Sequence, residues 1–206
     1  MKIICIGCNY NAHIKELNNL ERPESPMFFI KPDTAMLRNN DPFYIPDFSN
    51  QVDYECEVVV KINRVVKHID QRFASRCYSE VGLGIDFTAR DIQREAIAKG
   101  LPWELCKGFD HSAAISPEFI SVEELGGDVQ NLSFELEING ERRQSGLTRE
   151  MLFSVDEIIS YVSKFITLKI GDLIFTGTPV GVGPVKSGDT LRATLEGREL
   201  LNFDIR

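Results

Sequence analysis

Two glutamates flank a single residue at Glu55 and Glu57, and an aspartate, Asp86, stands directly ahead of Phe87-Thr88-Ala89-Arg90-Asp91. The segment from Asp53 to Ile62 reads as a strand, because it is rich in β-branched residues and alternates polar with apolar positions before its valine run. A period of two then puts Glu55 and Glu57 on one face. Carboxylates held side by side repel, and burying them unpaired costs several kcal/mol or forces one to take a proton. A divalent cation accounts for the cluster; a solvated, charged edge strand is the competing reading. Oxygen-only donors suit a hard ion, whereas zinc would want histidine or cysteine.

Other residues share the required spacing. His13 and Glu16 stand three apart in Asn9 to Leu17, a short helical turn with asparagine available as its cap, so they lie on one side of it. An imidazole near its ordinary pKa can move protons at neutral pH; a plain surface histidine is the alternative. Arg90 and Gln93 share a face of the next helix and could hold a carboxylate or carbonyl, although Arg90 could equally form a salt bridge to the acidic strand. In the turn Gly177-Thr178-Pro179, Thr178 offers a backbone N–H and a hydroxyl, and Gly177 permits close backbone approach. His68 and His111 have no comparable neighbours.

These residues need a scaffold, and the pattern supplies mostly strands. An apolar run at Ile3 to Gly7 and another at Phe28 to Ile30, stopped by Pro32, read as strands, while Pro42 to Pro46 is too interrupted for a central one. A strand from Glu80 delivers Asp86 at its end. Thr88-x-x-Asp91 has the spacing of a capping box opening a helix to about Lys99, closed by Gly100 and Pro102. Phe134, Leu136 and Ile138 alternate up to Asn139-Gly140, a type I′ hairpin signal, with the return strand through Arg143 and Gln144. Ser154-x-x-Glu157 caps a helix whose Ile158, Ile159, Val162, Phe165 and Ile166 form a core stripe. Glycine-punctuated short strands follow from Gly171 to Gly188, as in a β-roll or barrel. Without repeats or linkers, residues 1–206 are expected to form one domain.

Composition narrows the partners. Charged residues make up 26% and hydrophobic ones 43% of the 206, ordinary for a globular chain. A formal net charge of −8 argues against nucleic acid or an anionic membrane as main partner. No stretch is long enough to span a bilayer, and the N-terminal run is too short for a signal-peptide core. Five cysteines include Cys5-x-x-Cys8, but Cys5 falls inside a strand and faces a core rather than opening a helix, so a reducing, cytoplasmic compartment is expected.

Taken in order, Gly7-Cys8-Asn9-Tyr10 with His13 and Glu16, Tyr54-Glu55-Cys56-Glu57, Gly84 to Gln93, Lys107, and Gly171 to Gly183 resemble the fumarylacetoacetate hydrolase family over nearly the whole chain. Thr88 to Lys107, with Gly100-Leu101-Pro102-Trp103, is similar to its small branch of acylpyruvate hydrolases and oxaloacetate decarboxylases. The resemblance implies an α+β, mostly β fold, a mixed β-sandwich roll of that family's C-terminal-domain type with a few short helices, and a homodimer. It also implies Mg2+ (or Mn2+) held by Glu55, Glu57 and Asp86, with Lys107 beside the ion and His13 and Glu16 activating water. Arg90, Gln93, Gly177 and Thr178 would contact a small 2-oxo acid. The expected reaction is cleavage of that acid's C–C bond, as acylpyruvate hydrolysis or oxaloacetate decarboxylation, through an enolate that the cation stabilises. The rivals are an isomerase or hydratase of a dienol dicarboxylate and a non-catalytic metal-binding protein. A lid is expected within residues 11–25. Cys8 stands where many relatives carry arginine, and the segment after Lys107 lacks their Gly-Pro.

Overall fold

The structure, a computed structural model, describes residues 1–12 and 23–206. In chain order the elements that matter are β1 (Ile3–Gly7), β2 (Met27–Lys31), β3 (Met36–Leu37), β4 (Val52–Tyr54), β5 (Cys56–Ile62), β6 (Tyr78–Asp86), β7 (Thr88–Ala89), α1 (Arg90–Lys99) and α2 (Glu104–Lys107). There follow β8 (Ala113–Ile115), β9 (Ile120–Ser121), β10 (Ser133–Ile138), β11 (Glu141–Leu147), α3 (Val155–Phe165), β12 (Leu173–Phe175), β13 (Gly183–Pro184), β14 (Thr190–Leu195) and β15 (Arg198–Asp204). The fold is mostly β with a few short helices, as expected.

One mixed sheet runs β2-β1-β12-β5-β6-β8-β3, with β9 added to β6. Its centre is the valine run of β5, buried on both faces, which is why apolar residues there do not alternate. Val58 and Val60 enter the main core, whereas Val59 joins a smaller cluster with Ile3, Cys5, Leu173 and Phe175. Strands β11-β10-β14-β15 form a second sheet whose Phe134, Leu136, Ile138, Leu191, Ala193 and Leu195 complete the main core. A short third sheet, β13-β4-β7, lies at the end of the first where the acidic residues collect.

Local expectations met the structure unevenly. Asn139 and Gly140 both take positive φ, 54° and 78°, as the type I′ turn requires. Ser154 and Glu157 form the reciprocal capping box of α3, and Gly100 closes α1 in the left-handed conformation. The continuous strand from Asp53 to Ile62 is instead broken at Glu55: β4 pairs with β7 and β13, while β5 pairs with β6 and β12. The capping box at Thr88 does not form either. Thr88 belongs to β7, Ala89 precedes the helix without a side-chain cap, and Asp91 accepts from Ser49 Oγ at 2.6 Å and Asn50 N at 2.8 Å. In α3, Phe165 is 60% exposed and leaves the stripe, which is Val155, Ile158, Ile159 and Val162, with Ile166 packed against the core just past the helix.

Candidate metal centre

The register of β5 and β6 assembles the site. Glu57 lies opposite Gly84, and the Asp86 N–H donates to the Glu55 carbonyl at 2.8 Å, so these residues face each other at the end of the pair. Two-residue periodicity puts Glu55, Glu57, Gly84 and Asp86 on one face. Gly84 must be small, because a Cβ there would lie 2.4 Å from the Phe175 ring. Glu55, Glu57 and Asp86 each offer a carboxylate oxygen, all within 4.8 Å of one another, and all three residues are buried. The charged-edge-strand reading is therefore overturned.

Among the described residues, three cations meet these carboxylates. Lys107, 3% exposed at the end of α2, donates to Glu55 Oε2 at 2.8 Å, Asp86 Oδ2 at 2.9 Å and Thr88 Oγ1 at 2.6 Å. Burial disfavours its ammonium, but Asp86 and Glu55 outweigh burial and raise its pKa, so in the cation-free cluster Lys107 is a charged partner of both carboxylates. Arg90 donates through Nε to Asp53 at 2.7 Å, through Nη2 to Glu55 Oε1 at 2.5 Å and through Nη1 to Gln93. The salt bridge to the acidic strand is thus the arrangement found for Arg90, with Gln93 orienting the guanidinium from one helical turn away. The third cation is Lys31, 0% exposed at the end of β2, with Nζ 2.8 Å from Asp86 Oδ1.

Glu57 is different. It accepts from the Gly177 N–H at 2.7 Å, and burial, followed by Asp86 and Glu55, pushes its pKa well above the usual carboxylate range. Gly177 has φ of 99°, and a Cβ would approach Asn9 Cβ to 2.6 Å, so only glycine brings this N–H to the carboxylate. Thr178 donates its hydroxyl to the Cys56 carbonyl at 2.9 Å and accepts from Gln144 Nε2 at 2.9 Å, which commits that hydroxyl to the scaffold. His13 and Glu16 lie outside the described residues.

Sequence reading missed Lys31, Asp53, Gln144 and the Tyr10 phenol. Asp53 had a signal, since it stands two residues before Glu55 and shares its parity. Lys31 had one too: a lysine ending an apolar strand before proline. Gln144, which also accepts from the Cys56 N–H at 2.9 Å, carried none. Tyr10 is 2% exposed, its hydroxyl has no hydrogen-bond partner among the described residues, and burial, then Glu57 and Glu150, raises its pKa. Cys5 and Cys8 are free thiols, and burial raises both pKa values, as expected of a core-facing strand rather than a redox pair.

The donor set fits a hard divalent cation. Asp86 Oδ1 is buried beside the Lys31 ammonium, 2.8 Å away, without an aligned hydrogen bond among the described residues, and an oxygen in that condition suits a ligand. Beside Lys107 a cavity of about 200 Å³ opens between β2 and the start of α2, lined among others by Met27, Phe29, Pro102, Trp103 and Glu104. The Phe29 ring lies 5.2 Å from Lys107 Nζ, so this cavity adjoins the cluster.

A β-dominated fold with a buried carboxylate triad and a fixed lysine defines a class of hard-cation enzyme sites. The model of the fumarylacetoacetate (FAA) hydrolase C-terminal domain matches residues 2–205, and the chain belongs to that family. It is 41% identical over 199 residues to oxaloacetate tautomerase YcgM of Escherichia coli, covering 97% of this chain and 90% of that protein. Fumarylpyruvate hydrolase from Pseudomonas aeruginosa, solved in complex with Mn2+ and pyruvate, superposes with a TM-score of 0.93 at 32% identity, covering 100% and 89%. A 5-carboxymethyl-2-hydroxymuconate delta-isomerase from Mycobacterium smegmatis superposes with a TM-score of 0.86 at 33% identity, covering 99% and 77%. Among the described residues no helix is long and apolar enough to cross a membrane.

Proposed function

We propose that this protein is a divalent-cation enzyme that enolises a short 2-oxo acid bearing a second carbonyl group at C4, with keto–enol interconversion of oxaloacetate as its reaction. The observation that carries the reading is the open Asp86 Oδ1 inside a buried carboxylate triad that already holds its lysines and arginine. Glu55, Glu57 and Asp86 would hold Mg2+ or Mn2+, which when bound supplies Lewis acidity toward the carboxylate and keto oxygens of a 2-oxo acid. The tautomerase reading stands first because of the likeness to the Escherichia coli tautomerase along nearly the whole chain.

The chain's own residues divide the remaining work. Lys107 would place its ammonium against the charge that grows on the C2 oxygen. Arg90, fixed by Asp53 and Gln93, would pair with Glu55 and hold it in orientation. The proton leaving C3 needs a base, and His13 with Glu16 is the pair proposed for it. Tautomerisation returns that proton to oxygen and consumes no water. The backbone of the Gly177-Thr178 turn, with Glu57 held by the Gly177 N–H, would border the bound carboxylate.

A second reading is cleavage of the C3–C4 bond, by hydrolysis of an acylpyruvate or decarboxylation of oxaloacetate. It is favoured by the likeness to the fumarylpyruvate hydrolase and by the apolar walls of the adjoining cavity, whose size suits a short C4 substituent rather than a drug-sized one. The likeness to the delta-isomerase keeps a dienol dicarboxylate as a third substrate. A homodimer is the proposed assembly.

Proton NMR separates the readings. With Mg2+ present, oxaloacetate is expected to exchange keto and enol forms faster than it releases pyruvate, and His13→Ala is expected to slow that exchange. Rapid pyruvate release from acetylpyruvate, with no acceleration of the oxaloacetate equilibrium, would put cleavage first.

A further inference from the structure

Lys31 holds a position that the proposed chemistry does not yet use. Its Nζ donates to the Phe87 carbonyl at 3.2 Å, the Ser112 carbonyl at 3.0 Å, Ser112 Oγ at 3.0 Å and, more closely, the Lys107 carbonyl. Ser112 Oγ in turn donates to that same Lys107 carbonyl at 2.9 Å. An ammonium has only three protons, and these four oxygens compete for them with Asp86. Asp86 Oδ1, 2.8 Å away, receives the charge of Lys31 without an aligned hydrogen bond among the described residues.

Two consequences follow from that geometry. The buried Asp86 carboxylate has a counter-charge on the side away from Lys107, yet one of its oxygens keeps its lone pairs open. The same ammonium also ties the backbone of Lys107, at the end of α2, to the backbone after β6, so the two groups that face the triad are set against each other by one buried cross-link. A surface lysine could not do this, and neither could a neutral residue.

We propose that Lys31 is a positioning residue of the cation site: it fixes Asp86 with Oδ1 open and locks the Lys107 segment beside it. The inference deepens the proposed function and rests on the triad binding a divalent cation. Outer partners of metal-binding carboxylates typically change affinity by about 10–100-fold when removed, and Lys31 belongs in that range.

The test reads binding directly and does not depend on turnover. Mn2+ is titrated into EDTA-stripped full-length protein and followed by electron paramagnetic resonance, for wild type, Lys31→Gln, Lys31→Arg and Ser112→Ala, with far-UV circular dichroism on each. Lys31→Gln is expected to weaken Mn2+ binding by about 10-fold or more, Lys31→Arg to recover part of the loss, and Ser112→Ala, which leaves every charge in place, to weaken it less than Lys31→Gln. Should Lys31→Gln not fold, the Ser112→Ala loss decides alone. Mn2+ binding by folded Lys31→Gln that equals wild type, or by Ser112→Ala if the other variant is lost, overturns the inference while sparing the proposed function. A wild-type protein that binds no Mn2+ overturns both.

Discussion

The carboxylate cluster and the β10–β11–β14–β15 sheet both pair acids with bases, and they do so in opposite surroundings. On the sheet, Arg192 meets Glu137 at 3.0 Å and Glu199 at 2.5 Å, and Arg142 meets Glu135 at 2.9 Å, all between partly or largely exposed side chains. At the cluster, Asp53, Glu55, Glu57 and Asp86 face Arg90, Lys31 and Lys107 with almost no solvent. Water screens the first set, so its pairs decorate a surface that the apolar inner face already stabilises. The second set cannot lose a partner without stranding a buried charge, and among the described residues it sets four acids against three bases. Crowding that many carboxyl groups in a dry site raises the pKa of Glu57, and a dication that took the place of its proton would relieve the crowding.

Perturbing each region measures that difference. Lys107→Met removes the donor shared by Glu55 and Asp86 and is expected to destabilise the protein by about 3–5 kcal/mol, read by urea denaturation in EDTA; a loss within experimental error would mean the carboxylates do not depend on it. Gln144→Leu strands the Cys56 N–H and the acceptors at Thr178 and Pro179, and the same assay should register about 1–3 kcal/mol.

A smaller effect separates Glu57 from ordinary surface acids. Its folded pKa is raised, so the folded protein binds more protons than the unfolded chain, and the contribution from Glu57 is present at acid pH and lost as pH climbs from about its ordinary 4.5 through the folded value. The thermal midpoint of cation-free protein should therefore carry a component that declines across that window and disappears in Glu57→Gln. Mn2+ should bind more tightly as pH rises, since it must displace the proton. A midpoint whose pH dependence is unchanged in the variant would remove Glu57 from the account. At the far end of the scale, Arg192→Ala should leave the thermal midpoint unaltered.

The same contrast explains what could be read before folding. The hairpin at Asn139-Gly140, the capping box at Ser154 and the left-handed stop at Gly100 are local devices, each needing only its neighbours, and each formed. Glu55, Glu57 and Asp86 were also visible, through strand parity and the family pattern. The break at Glu55 was not, because it arises when β4 leaves β6 for β7 and β13, a choice made between distant strands. Lys31 and Gln144 were hidden for the same reason: Lys31 reaches Asp86 from β2, and Gln144 reaches Cys56 from β11. Thr88 looked like a helix cap because its spacing to Asp91 is right, but the Lys107 ammonium takes its hydroxyl as an acceptor.

The central claim, that the buried triad binds a dication through which a 2-oxo acid is enolised, is tested most directly by following the ultraviolet absorbance of enol-oxaloacetate. EDTA-stripped protein should be inert, Mg2+ or Mn2+ should restore ketonisation along a saturable curve, and Asp86→Asn should remain inert at every cation concentration. Stripped protein that works as well as loaded protein, or an Asp86→Asn variant restored on the wild-type curve, would contradict it.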